Sequence, residues 1–192
     1  MTMKIHDISQ ELFSCEVFPG DPAPEKKTVL SMENGDKCNL TSLSMCAHNG
    51  THVDAPYHFY RDGRTIDELA LEKVVGMAQV ISFDGELSDA DIKRLLAPGT
   101  KRVLFRGHAV VTLSAAEELV RQGIWLVGVE SQTVGPKDGP EAVHLALLKQ
   151  EVVLLEGIRL AAVADGTYLL NAAPVSLGGA DGAPCRALLL EL

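Results

Sequence analysis

Four side chains able to bind a metal ion, His48, His52, Asp54 and His58, occupy even positions of a single run, His48-Asn49-Gly50-Thr51-His52-Val53-Asp54-Ala55-Pro56-Tyr57-His58. In an extended chain, residues of one parity project to the same side. A helix fails this test: His48 and His52 stack at i, i+4, but Asp54 points away. Pro56 also breaks the helical ladder and disfavours a helical Ala55. The run is therefore expected to be extended, with bends at Gly50 and Pro56. Gly50 lacks a Cβ and lets the backbone come close to a ligand or to another strand. Any fold of this chain has to present the segment with its polar side chains converging.

Neutral imidazole and carboxylate are ordinary ligands of zinc and manganese. A carboxylate has two oxygens, so Asp54 is able to bridge two ions. Three of the six histidines in the chain lie in this run. The plain alternatives are surface or core histidines, and a structural zinc site. The latter usually favours Cys ligands, and no Cys pair is nearby. The four cysteines, Cys15, Cys38, Cys46 and Cys185, form no CxxC pair and are read as reduced and structural, in a cytoplasmic protein. Cys46, two residues before His48, is an additional candidate ligand.

The rest of the chain has a clear order. Lys4 to Ile8, Thr28 to Met32 and Asn39 to Met45 read as strands, and Phe18-Pro19-Gly20-Asp21-Pro22 as a rigid loop. Thr65-Ile66-Asp67-Glu68 is a capping box that predicts a helix through about Val74. Ala78 to Phe83 is an apolar strand, and Ser88 caps a helix to about Leu96, stopped by Pro98-Gly99. Arg102 to Arg106 is a strand. A second capping box, Ser114 to Glu117, predicts a helix to about Gln122 with Gly123 at C′. Ile124 to Val129 is a strand, Glu141 to Lys149 a helix, Val152 to Leu155 a strand, and Arg186 to Leu192 a closing strand. Alternation of strands and helices from about 65 to 156, with β-rich ends, predicts an α/β fold with some parallel pairing and added strands.

A length of 192 residues favours one domain, residues 1–192, over two small ones. Hydrophobic residues at 46% and charged residues at 22% argue against disorder. With 17 Lys and Arg against 26 Asp and Glu, the net charge of −9 argues against nucleic-acid binding, which relies on basic side chains. No run of eighteen apolar residues exists, so no membrane span is expected. Asp7, Glu11 and Glu16 interrupt any signal-like segment.

The run from His48 to His58 resembles the signature H-x-G-T-H-x-D-x-P-x-H of the cyclase-like metal hydrolases, which include bacterial kynurenine formamidase and isatin hydrolase. Every specified position matches. Phe18-Pro19-Gly20-Asp21 is similar to that family's N-terminal substrate loop, and Val127-Gly128-Val129-Glu130-Ser131 to its central strand and turn. His144, Leu147-Leu148 and Leu154-Leu155-Glu156-Gly157-Ile158 resemble its second metal-binding block. The similarity spans roughly residues 4 to 192. It implies a mixed β-sheet with flanking helices, of the swivelling β/β/α kind. It also implies two divalent ions per subunit, zinc or manganese: His48, His52 and Asp54 hold one, and Asp54 bridges to a second completed by His144 and Glu156. His58 is then the proton shuttle, and Phe18 a substrate-binding residue. A homo-oligomer, a dimer first, is implied as well, with the N-terminal loop near a neighbouring subunit. The chain departs from the family pattern twice. Phe18 stands where relatives acting on kynurenine-type substrates often have Trp, and Gly135 ends a central turn that commonly ends in Asp.

Three functional readings fit. The first is hydrolysis of a small amide, an N-formyl aryl amide such as N-formylkynurenine. The second is opening of a cyclic amide or of another small acid derivative. The third is a metal-binding or sensor protein without turnover, against which the intact His58 argues. In either hydrolase, divalent ions acidify a water and polarise the carbonyl, His58 protonates the leaving nitrogen, and Phe18, Tyr57 and Phe59 are candidates for an apolar wall.

Overall fold

The computed structural model describes residues Met3 to Glu191. Strand β1 (Lys4–Asp7) is followed by a hairpin of β2 (Glu25–Leu30) and β3 (Leu40–Ser44), and then by the short β4 (His52–Asp54). The middle of the chain alternates: β5 (Val75–Ser82), β6 (Gly85–Leu87), α1 (Asp89–Leu95), β7 (Arg102–Arg106), β8 (Ala109–Val111), α2 (Leu113–Arg121), β9 (Leu126–Val129), α3 (Glu141–Leu148) and β10 (Val153–Glu156). β11 (Gly166–Asn171), β12 (Gly182–Pro184) and β13 (Leu188–Glu191) end it.

Nine strands form one mixed sheet in the order β1-β13-β11-β5-β7-β9-β10-β4-β12. The central pairs β5–β7, β7–β9 and β9–β10 are parallel, and each is joined by a connection that carries a helix, as parallel neighbours require. The outer pairs are antiparallel. This is the expected α/β fold, a mixed sheet with flanking helices.

Strand parity sorts the apolar side chains into two cores. Val103, Phe105, Val127, Val129 and Leu154 face Ile92 of α1, Ala115 and Leu119 of α2, and Val143 and Leu147 of α3. Their neighbours Leu104, Leu126, Val153 and Leu155 face the other way, against Ile8, Val53, Ala55, Leu170 and Leu189. The central strands are thus buried on both sides, which explains their nearly continuous apolar sequences.

Several local expectations are corrected. The helix predicted from Thr65 to Val74 is two separate 3-10 turns, Ile66–Glu68 and Leu71–Lys73, because Leu69 and Ala70 are extended between them. The capping box at Thr65 and Glu68 forms nonetheless, and Ile66 N–H donates to the Ala180 carbonyl, which ties the turn to the far end of the chain. Helix α2 starts two residues earlier than Ser114 suggests: Thr112 is its N-cap and accepts from Ala115 N–H. Gly123 does follow that helix with a left-handed φ of 68°. The predicted strand 28–32 lies at Glu25–Leu30, since Met32–Asn34 is a 3-10 turn. The closing strand is Leu188–Glu191, and Leu192 lies outside the described residues. Strands β6, β8, β11 and β12 were not anticipated. Two of them, β6 and β12, hold glycine within three residues and carry almost no periodic signal.

Phe105 is fully buried between β7 and the helices. Phe105→Ala is expected to cost about 3–5 kcal/mol of stability, measured as a lowered urea midpoint. A loss below about 1 kcal/mol would mean that this layer repacks freely.

Candidate metal centre

β4 pairs with β10 so that Asp54 lies opposite Leu154 and His52 opposite Glu156. Val53 and Leu155 point into the core opposite the helices. Period-2 alternation therefore brings His52, Asp54 and Glu156 out together on the helix-covered face. Helix α3 crosses there and delivers His144. Burial of all four is nearly complete: none is more than 3% exposed.

Two rings are locked by backbone carbonyls. His52 Nδ1 donates to Gly50 O at 3.0 Å, and His144 Nδ1 donates to Pro140 O at 3.0 Å. In each neutral ring this leaves the Nε2 lone pair facing the carboxylates. His52 Nε2 is 3.4 Å from Asp54 Oδ1 and 3.4 Å from Glu156 Oε2. His144 Nε2 is 3.3 Å from Glu156 Oε1 and 3.7 Å from Asp54 Oδ2. Glu156 Oε1 also accepts from Val134 N–H at 2.8 Å. Asp54 Oδ2 is buried without a hydrogen-bond partner. Acceptor lone pairs thus converge on one another in a buried space, an arrangement that costs free energy unless protons or a cation sit among them. Three groups of ligand atoms each lie within 4.8 Å of one another: His48–His52–Asp54 and Asp54–His144–Glu156, which share Asp54, and the less buried His48–His58–Asp181. The two buried groups fit one or two divalent ions. Cys46 belongs to none of the three.

His48 stands in the turn that precedes β4, against the backbone of β12. A Cβ on Gly182 would meet the His48 ring at 2.8 Å and the Val53 carbonyl at 2.9 Å, so the ring takes the space that any side chain there would fill. His48 Nδ1 lies 2.9 Å from Asp54 Oδ1 and Nε2 lies 3.0 Å from Asp181 Oδ2. His58 ends the 3-10 turn Pro56–His58, its ring 4.1 Å from that of His48, and its Nδ1 is 3.2 Å from the same Asp181 oxygen. The four even-numbered side chains do converge, by means of the short strand and the bend at Pro56.

Asp181 was not found by sequence reasoning. It is 123 residues from His58, and Asp181-Gly182 reads as an ordinary turn signal. Thr133 and Gln132 were missed as well. Both are buried beside the cluster, and Thr133 Oγ1 and Gln132 Oε1 have no hydrogen-bond partner.

The electrostatics follow from this crowding. Burial pushes His48 and His52 down, but the carboxylates outweigh it. Asp181 and Asp54 hold His48 up at about 11, and Asp54 and Glu156 hold His52 up at about 10. His144 is raised by Glu156 and Asp54 against its own burial. Burial likewise opposes, without cancelling, the pull of His48 and His52 that keeps Asp54 well below the usual carboxylate range. The His48 hydrogen bond does the same for Asp181.

A cavity of about 230 Å³ opens onto the cluster, with Phe18, His58, Phe59, Thr133 and Glu141 in its wall. A wider cavity of about 570 Å³, beside Glu130, Lys137 and Arg159, holds none of the clustered imidazoles; donor chemistry, not size, marks the site. Phe18 reaches the cavity from a turn in which Pro19 and Gly20, with φ 101°, bring Asp21 N–H to the Phe18 carbonyl. Tyr57 is absent from the wall. It is 43% exposed, because the 3-10 turn that aims His58 inward sends its predecessor outward.

Residues 2–136 match the family model described as "Putative cyclase". The chain is 35% identical to the kynurenine formamidase of Bacillus anthracis over 204 residues, which cover 98% of each chain. It is 31% identical to that of Erythrobacter litoralis, covering 98% of this chain and 94% of the relative. A solved structure described as a "Potential Metal-Dependent Hydrolase With Cyclase Activity" superposes with a TM-score of 0.86 at 28% identity, over 100% of this chain and 99% of that one. Isatin hydrolase A from Labrenzia aggregata shares the fold, with a TM-score of 0.86 at 22% identity, over 98% of this chain and 93% of its own. With sequence, fold and donor set in agreement, this chain belongs to the cyclase family of metal-dependent hydrolases.

Proposed function

We propose that the chain hydrolyses a small N-acyl aryl amide of the N-formylkynurenine kind. In this reading His48, His52 and Asp54 hold one divalent ion, and Asp54, His144 and Glu156 a second. The observation that carries it is Asp54, which is shared by both groups of ligand atoms and keeps one buried oxygen without a partner. Imidazole nitrogen with carboxylate oxygen suits zinc or manganese. The relatives named kynurenine formamidase support the amide class. Phe18 and Phe59 in the cavity wall support an aromatic substrate.

Divalent ions held here supply an acidified water at neutral pH and polarise the scissile carbonyl. The protein's own groups do the remaining work. The carbonyls of Gly50 and Pro140 keep His52 and His144 from turning. Phe18 and Phe59 flank the aryl group and exclude bulk water. His58, partly exposed at the cavity wall, carries a proton to the leaving nitrogen.

We also propose that the chain is a cytoplasmic homodimer, the dimer being what the family resemblance implies. Among the described residues no helix is long and apolar enough to cross a membrane. The β2–β3 hairpin pairs with no strand of the main sheet, and Val29, Met32, Leu40 and Leu43 are exposed on and around it. An isolated hairpin is marginal in water, and a second copy of the chain would cover these side chains.

Three outcomes are expected. First, the purified chain carries divalent metal, and loading a chelated sample releases protons, because the imidazoles held at about 11 and about 10 must give theirs up. Apparent affinity therefore rises with pH. Calorimetry in buffers of different ionisation heat measures the release; Asp54→Asn should weaken both ions, and a fully active metal-free chain would overturn the reading. Second, His58→Ala lowers kcat on an N-formyl anilide by about 10²–10⁴-fold with metal content unchanged, and harms an activated ester less. Third, Leu43→Asp turns a dimer into a monomer by light scattering; an unchanged mass would remove the hairpin from the interface.

A further inference from the structure

We propose that Asp181 is a positioning residue that fixes the ring orientation and tautomer of His58. The inference rests on the reading of His58 as the proton carrier. A single oxygen, Asp181 Oδ2, lies 3.2 Å from His58 Nδ1 and 3.0 Å from His48 Nε2. An ionised carboxylate only accepts hydrogen bonds. Its proximity therefore selects the His58 tautomer with the proton on Nδ1, donated to Asp181, and leaves Nε2 as the atom that exchanges a proton with substrate. His48 lies between two carboxylates and donates to both, from Nε2 to Asp181 at 3.0 Å and from Nδ1 to Asp54 at 2.9 Å. His48 is thus held by Asp54 as well, and the ring that depends on Asp181 alone is His58, whose centroid is 4.1 Å from that of His48.

The carboxylate is held by its backbone. Ala55 N–H donates to Asp181 O at 2.9 Å, and the next residue, Gly182, pairs opposite Asp54 in β12. Ile66 N–H donates to the preceding carbonyl, Ala180 O, at 2.9 Å. Asp181 is therefore anchored to the segment that carries His58 on one side and to the turn at Ile66 on the other. The side chain itself is 42% exposed, so neither solvation nor packing forces it toward the rings; the two imidazoles do.

The proton path closes on His58. The attacking water loses a proton to Nε2 as its oxygen bonds to the carbonyl carbon. When the C–N bond breaks, its electron pair goes to nitrogen, and Nε2 returns the proton there. Asp181 keeps its charge and its hydrogen bond from Nδ1 throughout and exchanges nothing.

The test compares Asp181→Ala, His58→Ala and the double variant with the wild-type chain, all saturated with Zn²⁺ and with metal content measured. Asp181→Ala is expected to lower kcat on a formyl anilide by roughly 10–100-fold, the usual effect of losing an outer hydrogen-bond partner. KM should change little and an activated ester should suffer less. In the His58→Ala background the Asp181 change should add almost nothing. Independently of activity, the imidazole ¹⁵N signals of His58 should show a protonated Nδ1 in the wild type and a tautomer mixture in the variant. If the Ala variant does not fold, Asp181→Leu, which also removes the acceptor, carries the same comparison. Loss of an ion from the Zn²⁺-saturated variant would show Asp181 acting on the metal site, directly or through His48, and overturn the proposal. So would additive effects in the double variant, equal losses on amide and ester, or an unchanged ¹⁵N pattern. If His58→Ala itself fails to separate amide from ester, the His58 reading falls and this inference with it. If His58→Ala separates them and Asp181→Ala does not, only the inference about Asp181 fails.

Discussion

The antiparallel register between β4 and β10 decides what the rest of the molecule can do. With Asp54 across from Leu154 and His52 across from Glu156, three polar side chains share the helix-covered face while Val53 and Leu155 fill the opposite core. A slip of one residue would reverse both sets, sending carboxylates and an imidazole into apolar packing and valine toward the site. The apolar residues of β4 and β10 therefore hold the register by burial, and the polar ones inherit their geometry from it. His144 needs no register of its own; Val143, Leu147 and Leu148 seat α3 on the sheet, and His144 follows.

Burying this many titratable groups is unfavourable unless each is compensated. Compensation here is collective. Gly50 and Pro140 carbonyls take the outward N–H of two rings, Val134 N–H takes one oxygen of Glu156, and the inward atoms are left to one another. Such a set binds positive charge, whether protons or a metal ion. Among the described residues no Lys or Arg lines the cavity, which fits that division of labour, since a fixed cation would compete for the same carboxylates.

Much of this was legible in the sequence, and the reasons are local. The parity of 52 and 54 ahead of Pro56 gives the short extended strand, while His48 and His58 join it from turns on either side. The apolar strands 102–106 and 124–129 and the capped helix between them give the parallel centre of the sheet. What stayed hidden depends on distant contacts. Leu69 and Ala70 carry no sign that they interrupt a helix; that is decided by the tie from Ile66 to Ala180. Tyr57 follows the aromatic pattern of a cavity wall, yet the tight turn at Pro56 points it outward. Asp181 and Gly182 look like any turn because their meaning lies in His48, His58 and Val53, more than a hundred residues earlier.

Strand β4 has another consequence, for the order in which the chain can assemble. Its two neighbours, β10 and β12, come about a hundred and a hundred and thirty residues later in the chain. Long-range pairings of this kind are late events in folding. During synthesis β4 emerges early, and one edge must wait for β10 and the other for β12. Its brevity, three residues between Gly50 and Pro56, then acts as protection, because so short an edge offers little for another chain to extend.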